Sequence, residues 1–202
     1  MFNIIHGSCA EQNVDAVVNA ANDCLLAGGG ICGAIFSKAG YAALERECAK
    51  YQTPLNDGDA VITSACNMKN AKAIIHAVGP DFRVTPNAVS ALFDAYYNSL
   101  RVLMENGFHS ISFPLISAGI FAGNLANPAG ESAIQCYEAY DKFVEDNPDY
   151  GVDVKLCAYS MKELIEVKSG ISKIAKYKIP GLKGYASKAE YWEWTNSIPD
   201  ED

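Results

Sequence analysis

The sequence lacks long apolar runs, basic clusters and an N-terminal targeting signal. No stretch reaches the roughly 20 apolar residues that a membrane-spanning helix needs, and no basic segment followed by an apolar one opens the chain, so we expect a cytoplasmic protein with no membrane partner. Lysine and arginine total 16 against 24 aspartates and glutamates, for a net charge of −8. This charge repels a nucleic-acid backbone, which argues against long nucleic acid as a partner.

Several catalytic and metal-binding signatures are also missing. The seven cysteines are an odd number without a C-x-x-C pair, so we expect reduced thiols and neither zinc nor a redox motif. A serine nucleophile elbow, a Walker lysine and a metal-spaced cluster are absent from the sequence. We expect no cofactor and no metal. The three histidines, His6, His76 and His109, are expected to be buried structural residues.

What the chain does have is enough apolar material for a full core, with 50% hydrophobic residues among 202. Strand and helix patterns alternate up to about residue 167, which predicts a three-layer α/β domain with its binding crevice at the strand ends. The pattern breaks past about Ser169. We therefore predict one domain, residues 1–168, and a C-terminal aromatic-rich extension, residues 169–202, that docks on it through Tyr177, Tyr185, Tyr191, Trp192 and Trp194.

Hydrophobic periodicity places the individual elements. The predicted strands cover residues 2–6, 16–18, 59–65, 73–78, 110–115 and 153–158. The predicted helices cover about 33–50 with a jog at Gly40, 86–106 ending at Gly107, 127–146 and 161–167. In the first helix we expect buried side chains at Ala34, Ile35, Ala39, Ala42, Ala43 and Leu44.

The most informative stretch joins the second strand to the first helix. Asn19 and Asn22 follow the strand, separated by two alanines too small to block a ligand, so both amides can point outward. Three consecutive glycines, residues 28–30, carry no Cβ, so their N–H groups can approach a ligand closely where the helix begins. A helix N-terminus favours an anion, usually phosphate. A plain glycine-rich turn is the alternative, but the order of strand, amides, glycines and helix favours a phosphate-bearing ligand.

Three motifs together resemble the macrodomain family in order and spacing. They are VVNAAN with the following GGG, HAVGP at 76–80, and PLISAGIFAG at 114–123. The resemblance extends over about residues 2–167. It implies a mixed sheet between two helix layers, with ADP-ribose or a mono-ADP-ribosylated protein as the partner and the ligand in a cleft between two loops.

The resemblance also implies roles for particular residues. Asn22 would bind the distal ribose and the Phe121 ring would cover it, and these two residues with Gly30 would place the attacking water. Tyr159 would lie beside the adenine, although an ordinary surface tyrosine is the alternative. The expected ligand contacts are Ser8, Cys9, Asn22, Gly28, Gly29, Gly30, Ile31, Cys32, Ser117, Ala118, Gly119, Ile120, Phe121 and Tyr159.

Two positions depart from the family's pattern. Ser8 stands where macrodomains usually have an aspartate that accepts a hydrogen bond from the adenine amino group, and a neutral acceptor is weaker by roughly 1 kcal/mol. Asp15 is a possible substitute, but its place before a core strand favours a structural role. Cys32 and Phe36 occupy the positions where MacroD-type hydrolases carry an aspartate and a histidine, and we expect Phe36 in the core.

Three functions remain open at this point. The first is a hydrolase that removes mono-ADP-ribose from protein carboxylates or deacylates O-acyl-ADP-ribose, with the substrate's own diphosphate in place of a side-chain general base. The second is a module that binds ADP-ribose without turnover, which the missing aspartate at Cys32 favours. The third is a macrodomain that binds another nucleotide or phosphate ligand, which Ser8 permits. The hydrolase is the leading hypothesis.

Overall fold

The computed structural model describes residues 1–174, which form a six-stranded mixed sheet between two helix layers. The strands are β1 (Phe2–His6), β2 (Ala16–Ala21), β3 (Ala60–Ser64), β4 (Ala73–Val78), β5 (Ser110–Phe113) and β6 (Asp153–Ala158). Their order is β1-β6-β5-β2-β4-β3, and only β3 runs antiparallel to its neighbour in this part of the chain. The predicted α/β/α architecture with a mixed sheet is confirmed.

Five α-helices lie within the described residues. They are α1 (Gly30–Ala39), α2 (Tyr41–Cys48), α3 (Val89–Glu105), α4 (Pro128–Asp146) and α5 (Met161–Ser172). Short 3₁₀ turns occur at Cys9–Glu11 and Ile120–Ala122. In this part of the chain, every helix is too short or too polar to serve as a transmembrane segment.

The first predicted helix is in fact two helices. It begins at Gly30 instead of residue 33, and Gly40, with φ of +84°, ends α1 and starts α2. The buried stripe of α1 is Cys32, Ile35, Phe36 and Ala39, at helical spacing. Phe36 is therefore in the core as expected, as are Ile35, Ala39 and Leu44, and Ala43 is half-buried. Ala34 and Ala42 lie off the buried stripes and are exposed, so those two predictions were wrong.

The sheet separates two apolar clusters, because successive side chains of a strand point to opposite faces. Val17 of β2 belongs to the cluster with α1 and α2, whereas Val18 belongs to the cluster with α3, α4 and α5. All six residues of β4 are buried. A continuous apolar run of this kind is typical of a strand that is covered on both faces.

The later helices follow the sequence closely, with one exception at the end. Asn127 caps α4 by accepting a hydrogen bond from the Gly130 N–H at 3.0 Å, as its position before Pro128 predicted. α5 continues to Ser172 instead of ending at 167, so the predicted boundary after residue 168 falls inside this helix. The division into 1–168 and 169–202 stays a prediction, and the five tail aromatics lie outside the described residues.

Candidate functional site

The two motif loops lie side by side at the end of the sheet that is formed by the carboxyl ends of the parallel strands. β2 and β5 are parallel neighbours, so their carboxyl ends lie next to each other at that end of the sheet. The loops that follow them, at 22–29 and 114–127, are therefore neighbours too. β4 is the parallel neighbour of β2 on the other side of β2. The loop that follows β4, residues 79–88, therefore lies at the same end of the sheet. In open α/β sheets, ligands bind in a crevice at the carboxyl ends of the strands.

The glycine loop leaves open space above the N-terminus of α1. Gly29 is the N-cap residue of α1, and no side chain of the described residues caps this end. A Cβ added to Gly29 or Gly30 would meet no atom within 4 Å, whereas one on Gly33 would lie 2.7 Å from the Gly28 carbonyl oxygen. Packing within the protein therefore explains Gly33 but not Gly29. The uncapped N–H groups of α1 are oriented to hold an anion.

Asn22 is fixed by the loop that it begins. Its Nδ2 donates to the Leu26 carbonyl oxygen at 2.8 Å, and its Oδ1 accepts from the Leu26 N–H at 2.9 Å. Leu25, which precedes Leu26 in this loop, takes a φ of +55°. Its side chain is buried and anchors the loop in the core. Cys24 in the same loop is exposed. The Asn22 side chain is half-exposed, in agreement with the predicted outward orientation.

Asn19 does not point outward, which corrects the prediction for this residue. β2 continues three residues past Val18, so Asn19 is part of the strand and only 1% exposed. Its Nδ2 lies 3.1 Å from Nδ1 of His76, whose Nε2 lies 3.0 Å from Oγ1 of Thr63. Burial lowers the pKa of His76 to about 4, so the imidazole is neutral at pH 7. The predicted structural role of His76 is confirmed.

The other two histidines are exposed, so the prediction that they are buried was wrong. His6 ends β1, which is an edge strand of the sheet formed by residues 1–174, so one side of this strand lacks a neighbouring strand from that part of the chain. His109 precedes β5, and its ring stacks on Tyr150 with centroids 4.5 Å apart. Neither residue belongs to the loops that follow β2, β4 and β5.

The two cysteines predicted to contact the ligand are buried thiols. Cys9 is 2% exposed and its Sγ lies 3.7 Å from the Val18 carbonyl oxygen, while Cys32 is 5% exposed and its Sγ lies 3.7 Å from the Leu26 carbonyl oxygen. Burial raises the pKa of both thiols. Both are therefore protonated at pH 7, and neither is a general base. Any contact that they make with a ligand would come from the backbone.

The second loop packs against the segment that follows β4. Ser117 takes a φ of +58° and donates through Oγ to the Pro80 carbonyl oxygen at 2.8 Å. A Cβ on Gly79 would lie 2.3 Å from Cγ2 of Ile116, so glycine is required for this approach. Beyond Ser117 the loop turns outward, and Ile120 is 75% exposed. The remaining predicted contacts of this loop, Ala118, Gly119 and Phe121, lie between the buried serine and the 3₁₀ turn or within that turn.

Arg83 is a neighbour of the second loop that the sequence did not reveal. Its guanidinium carbon lies 5.3 Å from the centroid of the Phe121 ring. Its Nε and Nη2 donate to the Asp81 carboxylate at 2.9 and 2.6 Å, and this pairing lowers the pKa of Asp81. The backbone N–H of Phe82, between them, donates to the Phe121 carbonyl oxygen at 2.9 Å. The only sequence signal was an Asp-x-Arg triplet directly after HAVGP.

The expected adenine end of the cleft is formed by the residues after β1 and β6. These strands are parallel neighbours, and the Gly7 N–H donates to the Ala158 carbonyl oxygen at 2.8 Å. Ser8 Oγ accepts from the Ala10 N–H at 3.3 Å and so caps the 3₁₀ turn. Tyr159 is 76% exposed. The two side chains therefore differ, since Ser8 has a local structural partner and the Tyr159 side chain is largely exposed.

Asp15 has the structural role that the sequence favoured. Its Oδ2 accepts from the N–H groups of His109 and Ser110, each at 3.0 Å, and its Oδ1 lies 2.7 Å from Nζ of Lys72. Burial acts to raise its pKa, but the hydrogen bonds from Lys72, His109 and Ser110 lower it to about 2. Asp15 precedes β2 and so lies at the amino ends of the parallel strands, whereas Ser8 follows β1 at their carboxyl ends. Asp15 therefore does not replace the missing aspartate.

Among the described residues, no group of histidine, cysteine, aspartate or glutamate side chains is arranged to hold a metal ion. The two loop segments that line the crevice are 22–33, which includes the first turn of α1, and 116–123. They contain neither lysine nor arginine. Besides the exposed Asp23 carboxylate and Cys24 thiol, they offer a ligand backbone N–H groups, one half-exposed amide and one aromatic ring. Such a set suits a phosphate-bearing ligand with a sugar, because oriented backbone dipoles bind anions without a charged side chain.

Comparison with known proteins agrees with this geometry. The family model described as "Macro domain" matches residues 18–129. The O-acetyl-ADP-ribose deacetylase of Citrobacter koseri is 44% identical over 123 residues, which are 59% of this chain and 69% of that protein. The Oceanobacillus iheyensis macrodomain with ADP superposes with a TM-score of 0.75 at 30% identity, over 86% of this chain and 90% of that one.

A second solved structure is similar over a nearly equal share of the chain. It is the Trypanosoma brucei macrodomain in complex with ADP-ribose, with a TM-score of 0.70 and 26% identity over 84% of this chain and 68% of that one. The motifs, the sheet order, the two loops and these similarities agree. This chain belongs to the macrodomain family.

Proposed function

We propose that this protein binds ADP-ribose between the loops at 22–33 and 116–123 and hydrolyses the ester of O-acetyl-ADP-ribose. The observation that carries the proposal is the uncapped N-terminus of α1, where a Cβ on Gly29 or Gly30 would project into open space. The diphosphate would bind there and against the backbone of the second loop. The name of the Citrobacter koseri relative supports the reaction.

The chemistry requires that a water oxygen adds to the acetyl carbonyl and that the bond from this carbon to the ribose oxygen breaks. The products are acetate, a proton and ADP-ribose. Asn22 would orient the distal ribose through its side-chain amide, and the Phe121 ring would cover this sugar and exclude bulk water. Placement of two reactants in this way accelerates a reaction without a covalent intermediate.

Within residues 1–174, the buried titratable side chains near the loops are not suited to activate the water. Cys32 is a protonated thiol, and the neutral imidazole of His76 is enclosed by Asn19 and Thr63. We therefore propose that the substrate's diphosphate orients the water. A general base typically contributes about 10²–10⁴-fold, so turnover without one should be slow. Asp23, which directly follows Asn22, carries an exposed carboxylate.

Acetate release tests the proposal directly. The protein is incubated with O-acetyl-ADP-ribose, and acetate and ADP-ribose are quantified by chromatography, with Ile165→Ala on the exposed face of α5 as a control. Release with wild-type and control protein, and much slower release with Phe121→Ala, supports the hydrolase. Unchanged turnover in Asp23→Asn excludes the neighbouring carboxylate as the base.

The same assay separates the remaining functions. An aspartate- or glutamate-linked mono-ADP-ribosylated protein, added in a second reaction, tests whether the substrate class extends to modified proteins. Tight ADP-ribose binding without release from either substrate would make the chain a binding module, which the protonated Cys32 favours. Calorimetry with AMP, ADP and NAD then tests whether another nucleotide is preferred, as the neutral Ser8 permits.

A further inference from the structure

The segment that follows β4 holds the second loop in place through several independent contacts. The Phe82 N–H donates to the Phe121 carbonyl oxygen at 2.9 Å, and Ser117 Oγ donates to the Pro80 carbonyl oxygen at 2.8 Å. A Cβ on Gly123, whose φ is +56°, would lie 2.6 Å from the Phe82 backbone. The backbone position of Phe121 is therefore set by this segment as well as by its own loop.

A side chain of the same segment also contacts the Phe121 ring. The Arg83 guanidinium lies over the ring face at 5.3 Å from the centroid, a distance at which a cation is attracted to the π-system. Arg83 is itself held by Asp81, which accepts from Nε, Nη2 and the backbone N–H of Arg83. Since an aromatic ring has two faces, a cation fixed on one face leaves the other free for a sugar.

We propose that Arg83 is a positioning residue that orients the Phe121 ring over the distal ribose. This inference rests on the proposed function, because that function assigns the sugar to Phe121. The charge of Arg83 is already balanced by Asp81, so the guanidinium acts through the ring and not as a direct anion ligand. Asp81 acts through Arg83, which makes a chain of three side chains from the carboxylate to the sugar.

A double-mutant cycle between Arg83 and Phe121 tests the inference. Arg83→Met keeps the apolar stem and removes the cation, and an exposed cation–π contact corresponds to a loss of about 3- to 5-fold in kcat for O-acetyl-ADP-ribose. In the Phe121→Ala background, the same Arg83→Met change should have less than a twofold effect. Arg83→Lys should recover part of the rate, since it keeps the charge but not the planar pair with Asp81.

A matched control distinguishes positioning from a general loss of surface charge. Arg101 on α3 has a side-chain exposure of 53%, close to the 51% of Arg83, and pairs with Glu105. Arg101→Met should leave kcat and KM unchanged. Asp81→Asn should lower kcat in the same direction as Arg83→Met, because it releases the guanidinium.

The cycle is measured both on turnover and on the Kd for ADP-ribose. Coupling in Kd with no acetate release by wild-type protein would reject the hydrolase and keep the inference. Additive effects of the two substitutions would overturn the inference whatever the wild-type activity, and so would faster turnover or tighter binding in Arg83→Met, which would indicate that Arg83 occupies the sugar's face. A wild-type protein that neither binds nor turns over would overturn both.

Discussion

Asn19 of β2 and His76 of β4 lie opposite each other in the sheet, and their side chains are joined by a 3.1 Å hydrogen bond between Nδ2 and Nδ1. His76 also reaches Thr63 of β3, so one imidazole connects three neighbouring strands. The two asparagines of VVNAAN thus have different tasks. Asn19 is a buried residue of β2 that pairs with His76, whereas Asn22 is half-exposed at the start of the loop that follows β2.

The first prediction concerns acid stability. In the folded state burial lowers the pKa of His76 to about 4, whereas the unfolded chain titrates near 6.5. Between these two pKa values, His76 is protonated in the unfolded state but neutral in the folded state. The free energy of unfolding therefore falls as pH decreases from 6.5 to 4, by up to about 3 kcal/mol. Urea titrations between pH 4.5 and 7.5 measure this slope.

Two variants assign that slope to the buried histidine. His109→Gln removes an exposed imidazole and should keep the wild-type dependence. His76→Gln should be less stable at pH 7 but nearly independent of pH in this window. A steep slope in His76→Gln would assign the acid sensitivity to another group. Asp15, whose pKa is about 2, contributes stability that is lost only at lower pH, as pH falls through its folded pKa.

The second prediction separates ligand contact from packing in the glycine loop. Gly29→Val places a side chain in open space where the diphosphate is expected, so ADP-ribose binding should weaken at least tenfold while the melting temperature stays within a few degrees. Gly33→Ala, by contrast, meets the Gly28 carbonyl oxygen and should lose about 1–3 kcal/mol of stability. Calorimetry and thermal unfolding of both variants decide the matter. Normal binding by a folded Gly29→Val protein would move the site elsewhere.

The third prediction concerns the adenine end. Ser8→Asp keeps an N-cap residue for the 3₁₀ turn, so the fold should tolerate it. The carboxylate offers the adenine amino group a stronger acceptor, by roughly 1 kcal/mol, so ADP-ribose should bind about fivefold more tightly. Ribose 5-phosphate, which has no base, should bind as before. Equal changes for both ligands would indicate that the adenine lies away from Ser8.

The fourth prediction concerns turnover. Asn22→Ala should lower kcat at least tenfold, because it removes the amide that orients the ribose and also releases the Leu26 backbone. Cys32→Ala should change kcat less than threefold, since a buried protonated thiol takes no part in the chemistry. The rate should show no inflection near pH 6.5, the unperturbed value for histidine. A strong effect of Cys32→Ala would instead favour a catalytic thiol.

The fifth prediction concerns the end of the domain. Gly170 of α5 packs against Gly130 of α4, where a Cβ would lie 2.6 Å from the Gly130 Cα, and Ile171 is 7% exposed. A chain that ends at residue 168 should therefore lose about 2 kcal/mol relative to one that ends at 174. The chain ending at 174 should in turn be less stable or less soluble than the full chain if the extension docks. Equal melting temperatures for the two longer chains would argue against docking.

The strands and the motif loops could be predicted because their signals are local. β1, β4 and β6 have the bounds that the apolar runs predicted, and α4 begins at the predicted Asn127-Pro128 cap. Residues at the ends of elements were harder. In the sequence, Asn19 is the first polar residue after an apolar run and therefore resembles a residue that follows the strand. The hydrogen bond from its Nδ2 to His76, 57 positions away in the sequence, offsets part of the cost of burying its amide.

The parts that could not be predicted depend on contacts between distant segments. The residues around Arg83 in the sequence do not distinguish it from an ordinary surface arginine. Its contact with Phe121 arises because β4 and β5 lie on either side of β2, which brings the loops after these strands to the same end of the sheet. Similarly, His6 and His109 have apolar neighbours in the sequence, but the edge position of one and the loop position of the other leave them exposed. The contacts that support the second loop therefore could not be predicted from local sequence patterns.

The distribution of thiols makes the cleft accessible to selective labelling without engineering. Cys24 is exposed two residues after Asn22, Cys66 is partly exposed, and the other five cysteines are buried: Cys9, Cys32, Cys48, Cys136 and Cys157. A maleimide dye should therefore react first beside the glycine loop, and Cys66→Ser would make the attachment unique. A fluorophore at that position would sense a nucleotide entering the cleft, so the native chain carries its own anchor for an optical biosensor.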